Sequence, residues 1–131
     1  MKALSLKQPY AELILQRKKT IELRKWNTTF RGEFLIHASK HPGPEAMKRF
    51  GFSSLLVSCI VGKVTLVEVK EYRTEEEHRK DQAHHLASSV WETMDLFLKI
   101  VFGLKNQFHV TEILVFGITK LNRILRKTTA L

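Results

Sequence analysis

Three short runs near the amino end place charged and aromatic groups where core-building alone has no use for them. They are Gln8-Pro9-Tyr10-Ala11, then Lys19-Thr20-Ile21-Glu22-Leu23-Arg24-Lys25-Trp26, then Arg31-Gly32-Glu33-Phe34-Leu35-Ile36-His37-Ala38. The second run alternates, with Ile21 and Leu23 on one face and Thr20, Glu22, Arg24 and Trp26 on the other, because strand side chains alternate with period two. Glu22 and Arg24 therefore share a face. One reading is a solvated ion pair, worth roughly 0–1 kcal/mol. The other has Glu22 accepting from a base amino group or sugar hydroxyl while Arg24 grips phosphate or a base edge. Pro9 suits the first position of a helix, where its missing N–H costs nothing. One reading makes the N–H groups behind it an anion seat to which Lys7 and Lys19 add charge; the other is an ordinary surface helix started by proline. Tyr10 and Trp26 are candidates for stacking on an unpaired base, at about 1–3 kcal/mol per base, with ordinary packing as the competing reading. Arg31-Gly32 reads as a turn whose arginine can touch a polyanion backbone, and His37 as a lining group facing away from Phe34, Ile36 and Ala38.

The same residues admit an enzymatic reading. Lys19 would serve as base or electrostatic stabiliser, Glu22 as general base, and Thr20 as a more distant nucleophile. His78, Asp81, His84 and His85 fall on a helical stretch where a metal is conceivable, but the preferred reading is a solvated face, and neither metal nor cofactor is expected. Cys59 sits in an apolar run and reads as a small core residue. The chain carries no phosphate-binding loop, dinucleotide fingerprint or His-Glu-x-x-His motif.

The elements that must position these groups follow from periodicity. Lys2 to Lys7 is expected as a strand, Pro9 to about Lys18 as a helix, Thr20 to Trp26 and Glu33 to Ser39 as strands. His41-Pro42-Gly43-Pro44 breaks the chain before a short helix at 45–50. Leu55 to Tyr72 is a long strand whose apolar residues fall on both parities, so Gly62 is expected to mark a bulge. Thr74 and Glu77 form a capping box for a helix through Leu86. Val90 to Leu104 reads as a further helix, Phe108 to Thr119 as a strand, and Leu121 to Leu125 as a last strand or tail. The order implies one small α+β domain over residues 1–131, with a mixed, mostly antiparallel sheet curled toward a barrel and helices on its flanks.

Charge narrows the partner. Lys and Arg number 22 against 13 Asp and Glu, a net charge of +9, which points to an anionic partner and first to nucleic acid. Residues 1–31 hold eight basic groups and two acids, residues 117–131 four basic groups and no acid, and 66–82 is net acidic. The two basic ends are expected to meet in one patch. A single cysteine excludes an intrachain disulfide, and neither an apolar leader nor a membrane-length apolar run is visible. A soluble, cytoplasmic protein without membrane contact is expected.

Leu4, Gln8-Pro9-Tyr10-Ala11, Lys19, Glu22, Arg24, Trp26, Thr28 or Thr29, Arg31-Gly32, Ile36, Ala38 and the run Val61-Gly62-Lys63-Val64 together resemble the ASCH family, named for activating signal cointegrator-1 homology. The likeness is good over the first half and weak over the last third. It implies a β-barrel similar to the RNA-binding PUA domains, with a cleft between the Lys-x-x-Glu-x-Arg strand and the preceding helix. It also implies RNA or a modified nucleotide as ligand, with single-stranded DNA or a protein partner as further options. The alternatives are a hydrolase on the same scaffold, either a ribonuclease or a nucleoside amidohydrolase, and a coactivator-like interaction domain that would use 74–104 as its surface. Two positions depart from the pattern. Arg17 stands where the family usually has glycine, and Glu22 stands where the branch that deacetylates N4-acetylcytidine has its threonine nucleophile, so that chemistry does not carry over.

Overall fold

The computed structural model describes residues 2–24, 28–87, 99–109 and 129–130. Strand β1 (Lys2–Leu6) leads into the short helix α1 (Tyr10–Leu15), then strands β2 (Ile21–Arg24) and β3 (Gly32–Ala38). Helix α2 (Pro44–Arg49) precedes the long strand β4 (Cys59–Tyr72), followed by helices α3 (Glu75–Lys80) and α4 (Gln82–His85) and strands β5 (Lys99–His109) and β6 (Thr129–Ala130). The strands lie in the order β2-β5-β4-β3-β1-β6. Strand β1 runs parallel to β3 and β6, whereas the β2/β5, β3/β4 and β4/β5 pairs are antiparallel. The architecture is thus mixed α+β, and among the described residues the order ends at β2 and β6 without a pairing that closes it into a barrel.

The core lies between α1 and the sheet. Ala11, Ile14 and Leu15 on α1 meet Leu4, Leu6, Phe34, Ile36, Ala38, Val61, Val64 and Leu66. Removing a large side chain such as that of the fully buried Phe34 from water contributes about 1.5–3 kcal/mol. The double parity of β4 has the expected cause, one residue from the expected place. The register with β3 jumps at Val61, from Ile36↔Gly62 to His37↔Ile60, so Val61 can be buried on one side of the bulge and Val64 and Leu66 on the other.

Helix α1 is shorter than its sequence pattern. Pro9 sits at the N-cap rather than the first helical position, and the Gln8–Pro9 peptide is cis. The Gln8 side chain, buried, caps the turn itself: its Oε1 accepts from the Glu12 N–H at 3.0 Å and its Nε2 donates to Leu56 O at 2.9 Å. The Thr74 cap is present, its Oγ1 accepting from the Glu77 N–H at 3.2 Å, while Glu77 Oε2 accepts from the Arg73 N–H, one residue earlier than the capping box requires. Of the expected helix over 90–104, residues 90–98 lie outside the described residues, and the part from 99 to 104 is corrected. Residues 99–104 belong to β5, because Ile100, Val101 and Phe102 are β-branched or aromatic and pair along both β2 and β4. Of the expected strand at 108–119 only Phe108 and His109 are described, and the candidate strand at 121–125 lies outside the described residues.

Gln8→Ala leaves the Leu56 carbonyl and the Glu12 N–H without the Gln8 side chain. It is expected to lower unfolding free energy by about 2–3 kcal/mol in urea denaturation; a loss too small to measure would refute the capping role.

Candidate functional site

The route from α1 to β2 is set by a left-handed turn. Arg17 adopts φ 63°, its N–H donates to Ile14 O and that of Lys18 to Leu13 O, both at 3.0 Å. This is the paired-bond helix stop that glycine usually completes. Lys19, whose N–H also donates to Leu13 O, is thereby turned inward. Its side chain is only 4 % exposed.

The Lys19 ammonium donates to the carbonyl of His85 and lies 3.6 Å from Glu22 Oε2. It also stands 5.4 Å from the centroid of the Tyr10 ring. Burial lowers the Lys19 pKa, Glu22 partly restores it, and Arg24 lowers it again. Arg24 donates from Nη2 to Ser5 O at 2.8 Å. Ser5, opposite His37 in the β1/β3 register, shares a 3.0 Å hydrogen bond between its Oγ and His37 Nδ1. Tyr10, Lys19 and Glu22 thus form one set of contacts and Arg24, Ser5 and His37 another, and the charge of Arg24 acts on Lys19 across them. Within them, Glu22 Oε2 and Arg24 Nε are buried yet make no hydrogen bond among the described residues. An acceptor and a donor left in that state beside a buried cation call for a third party.

The His85 carbonyl is fixed from behind. Tyr72 donates from its hydroxyl to Asp81 Oδ2, and the buried His78 and His85 rings stack at 4.3 Å between centroids. His85 Nδ1 accepts from the Ala87 N–H at 3.0 Å, so Nε2 carries the proton and donates to His78 O at 2.8 Å. Burial lowers the His85 pKa. The expected solvated face is corrected accordingly, since His78 and His85 turn toward Tyr72 and only His84 is exposed. Among the described residues no group of three or more His, Cys, Asp or Glu is placed to hold a metal ion.

Other expected site residues are placed elsewhere. Gln8 and Pro9 are buried in the scaffold, and a helix of six residues whose early N–H groups are already bonded to Lys7 O and Gln8 Oε1 offers no anion seat. Lys7 is exposed. Arg31 bonds its own loop, donating to Thr28 O and Phe30 O, and lies about 20 Å along β3 from His37. Thr20 Oγ1 faces His84 Nδ1 at 3.5 Å. Trp26 lies outside the described residues. The His85 carbonyl and Ser5 were not legible as site members, because a main-chain acceptor leaves no side-chain signature.

The family model described as "ASCH domain" matches residues 4–120. The chain belongs to the ASCH domain family. No curated protein matches the chain in sequence. Among solved structures, an ASCH protein from Zymomonas mobilis superposes with a TM-score of 0.62 at 16% identity, covering 82% of this chain and 69% of that one. Its serine-to-alanine mutant gives 0.60 at 15% identity, covering 88% and 79%. Its tyrosine-to-phenylalanine mutant gives 0.59 at 16%, covering 82% and 71%. At such identity the likeness is one of fold. In this ASCH domain the arginine that replaces the usual glycine keeps the left-handed turn at a steric cost.

Arg17→Gly is therefore expected to raise stability by about 1 kcal/mol in urea denaturation, and a loss of stability would contradict the turn assignment. His85 gives a pH dependence. Its folded pKa lies below the unfolded value of 6.5, so as pH falls the unfolded chain takes the proton first. The stabilisation is complete above the unfolded value and is lost as pH falls from it through the folded pKa. Melting temperature is expected to drop as pH falls below the unfolded value of 6.5, with a shallower drop in His85→Gln; identical profiles would exclude His85 as the source.

Proposed function

We propose that this ASCH domain binds single-stranded RNA, or a modified nucleotide, at the Lys19–Glu22–Arg24 cluster. The observation that carries the reading is that Glu22 Oε2 and Arg24 Nε are buried and, among the described residues, make no hydrogen bond. An acceptor and a donor from residues two apart on one strand match the edge of a nucleobase or a base and its sugar hydroxyl. Tyr10, half-buried next to Lys19, supplies a stacking surface. The net charge of +9 supplies the sequence-independent attraction to phosphates. We read the mixed sheet as PUA-like, the architecture to which the motif points. A cytoplasmic site of action is consistent with the lone free Cys59.

A second reading is favoured by the state of Lys19. A buried lysine with a lowered pKa beside a carboxylate is the arrangement enzymes use for proton transfer. On this reading Lys19 and Glu22 act on the bound strand or on a nucleoside amide, as a ribonuclease or an amidohydrolase does. Thr20, held toward His84, is the only hydroxyl nucleophile that the sequence motif offers. Incubation with single-stranded RNA and with N4-acetylcytidine separates the readings: product that disappears in Glu22→Gln favours catalysis.

Glu22→Gln and Arg24→Ala are each expected to weaken binding of a short single-stranded RNA about tenfold in titrations at fixed salt. Ser5 is exposed, so loss of the Arg24 bond to its carbonyl leaves melting nearly unchanged. Unaltered affinity in both variants would refute the site.

A further inference from the structure

The turn that ends α4 holds two cations, not one. The His85 carbonyl accepts from Lys19, and the next carbonyl, Leu86 O, accepts from Arg49 Nη1 at 3.2 Å. Leu86 itself adopts the left-handed conformation at φ 58°. Each cation also lies against a ring. Lys19 Nζ is 5.4 Å from the Tyr10 centroid, and Arg49 Cζ is 4.7 Å from that of Phe50. The two rings touch edge to face, their centroids 6.3 Å apart and their planes at 74°. The result is a pair of adjoining cation-and-ring units, one at the end of α2 and one at the start of α1.

A purely structural role accounts well for the Lys19 unit and poorly for the Arg49 unit. Arg49 is exposed, and among the described residues no carboxylate pairs with it. An exposed guanidinium held in place by a carbonyl and a ring keeps its charge and one planar face for another molecule. Guanidinium planes and aromatic rings are the two surfaces on which unpaired bases stack. Lys48, also exposed, adds charge next to it.

We propose that the site continues from Tyr10 onto Phe50 and Arg49, so that it takes at least two consecutive nucleotides of a single strand rather than a lone nucleotide. One base sits with Tyr10, Glu22 and Arg24. The next stacks on the Arg49 guanidinium, which Phe50 backs, and its phosphate meets the positive charge of Arg49 and Lys48. The inference rests on the reading of the Lys19–Glu22–Arg24 cluster as a nucleotide site, and it assigns Phe50 and Arg49 to binding for the first time. Because stacking does not need the 2′-hydroxyl, the second position accepts RNA and DNA alike.

The test compares uridine monophosphate, a uridine tetranucleotide and a thymidine tetranucleotide on the full chain, by calorimetric titration at fixed salt. Wild type is expected to bind both tetranucleotides more tightly than the mononucleotide. Arg49→Gln and Phe50→Leu, the latter keeping the apolar volume, are expected to weaken both tetranucleotides about tenfold while leaving the mononucleotide unchanged. Three outcomes overturn the proposal. Equal loss for all three ligands would make Arg49 and Phe50 supports of the first position only. No loss in either variant would remove them from binding while leaving the first position intact. Failure of wild type to bind any of the ligands would sink the nucleotide reading and the extension together.

Discussion

The burial of the Lys19 ammonium is the constraint around which the amino-terminal half of this domain is arranged. A desolvated cation is costly unless it is paired and hydrogen-bonded, and this chain supplies a partner from each side. Glu22 comes from β2, which begins two residues after Lys19, the His85 carbonyl from the end of α4, and the Tyr10 ring from α1. Three separate elements are thereby drawn to one point. The left-handed Arg17 turn delivers Lys19 there, and the Tyr72–Asp81 bond with the stacked histidines holds the accepting carbonyl from below.

Satisfying Lys19 leaves its neighbours unsatisfied. Glu22 Oε2 sits 3.6 Å from the ammonium, and Arg24 spends one terminal nitrogen on Ser5, yet among the described residues neither Glu22 Oε2 nor Arg24 Nε makes a hydrogen bond of ordinary geometry. A domain selected for stability alone would fill these positions with apolar groups of similar volume, which often cost nothing. Keeping a buried donor, acceptor and cation together makes sense where a ligand completes the set. The fold's main devices, the α1 core contacts and the Gln8 cap, are independent of it and supply the rigidity that such a site needs.

Much of this was legible in the residues themselves. The alternation of Ile21 to Arg24 placed Glu22 and Arg24 on one face, and the parity of His37 separated it from the core. The Gln-Pro-Tyr, Lys-x-x-Glu-x-Arg and Arg-Gly spacings identified the family. What failed did so for local physical reasons. The apolar spacing over 90–104 fits a helical stripe, but in β5 the β-branched and aromatic residues of 100–102 are paired on both sides, a tertiary gain that periodicity cannot register. Lys19 was legible as a site residue but its burial was not, because that burial is imposed by a carbonyl sixty-six residues later. The histidines of α3 and α4 read as solvated because their partner, Tyr72, lies at the end of the preceding strand. Arg31, grouped by sequence proximity with the site, bonds the carbonyls of its own loop instead.

The proposed completion of Glu22 and Arg24 by a nucleotide is open to direct measurement. Amide chemical-shift mapping of the isotopically labelled domain during addition of a short uridine oligonucleotide tests it most directly. The largest changes are predicted at Ser5, Tyr10, Glu22 and Arg24, saturating together. Changes confined to the acidic segment around α3, or none at saturating ligand, would contradict it.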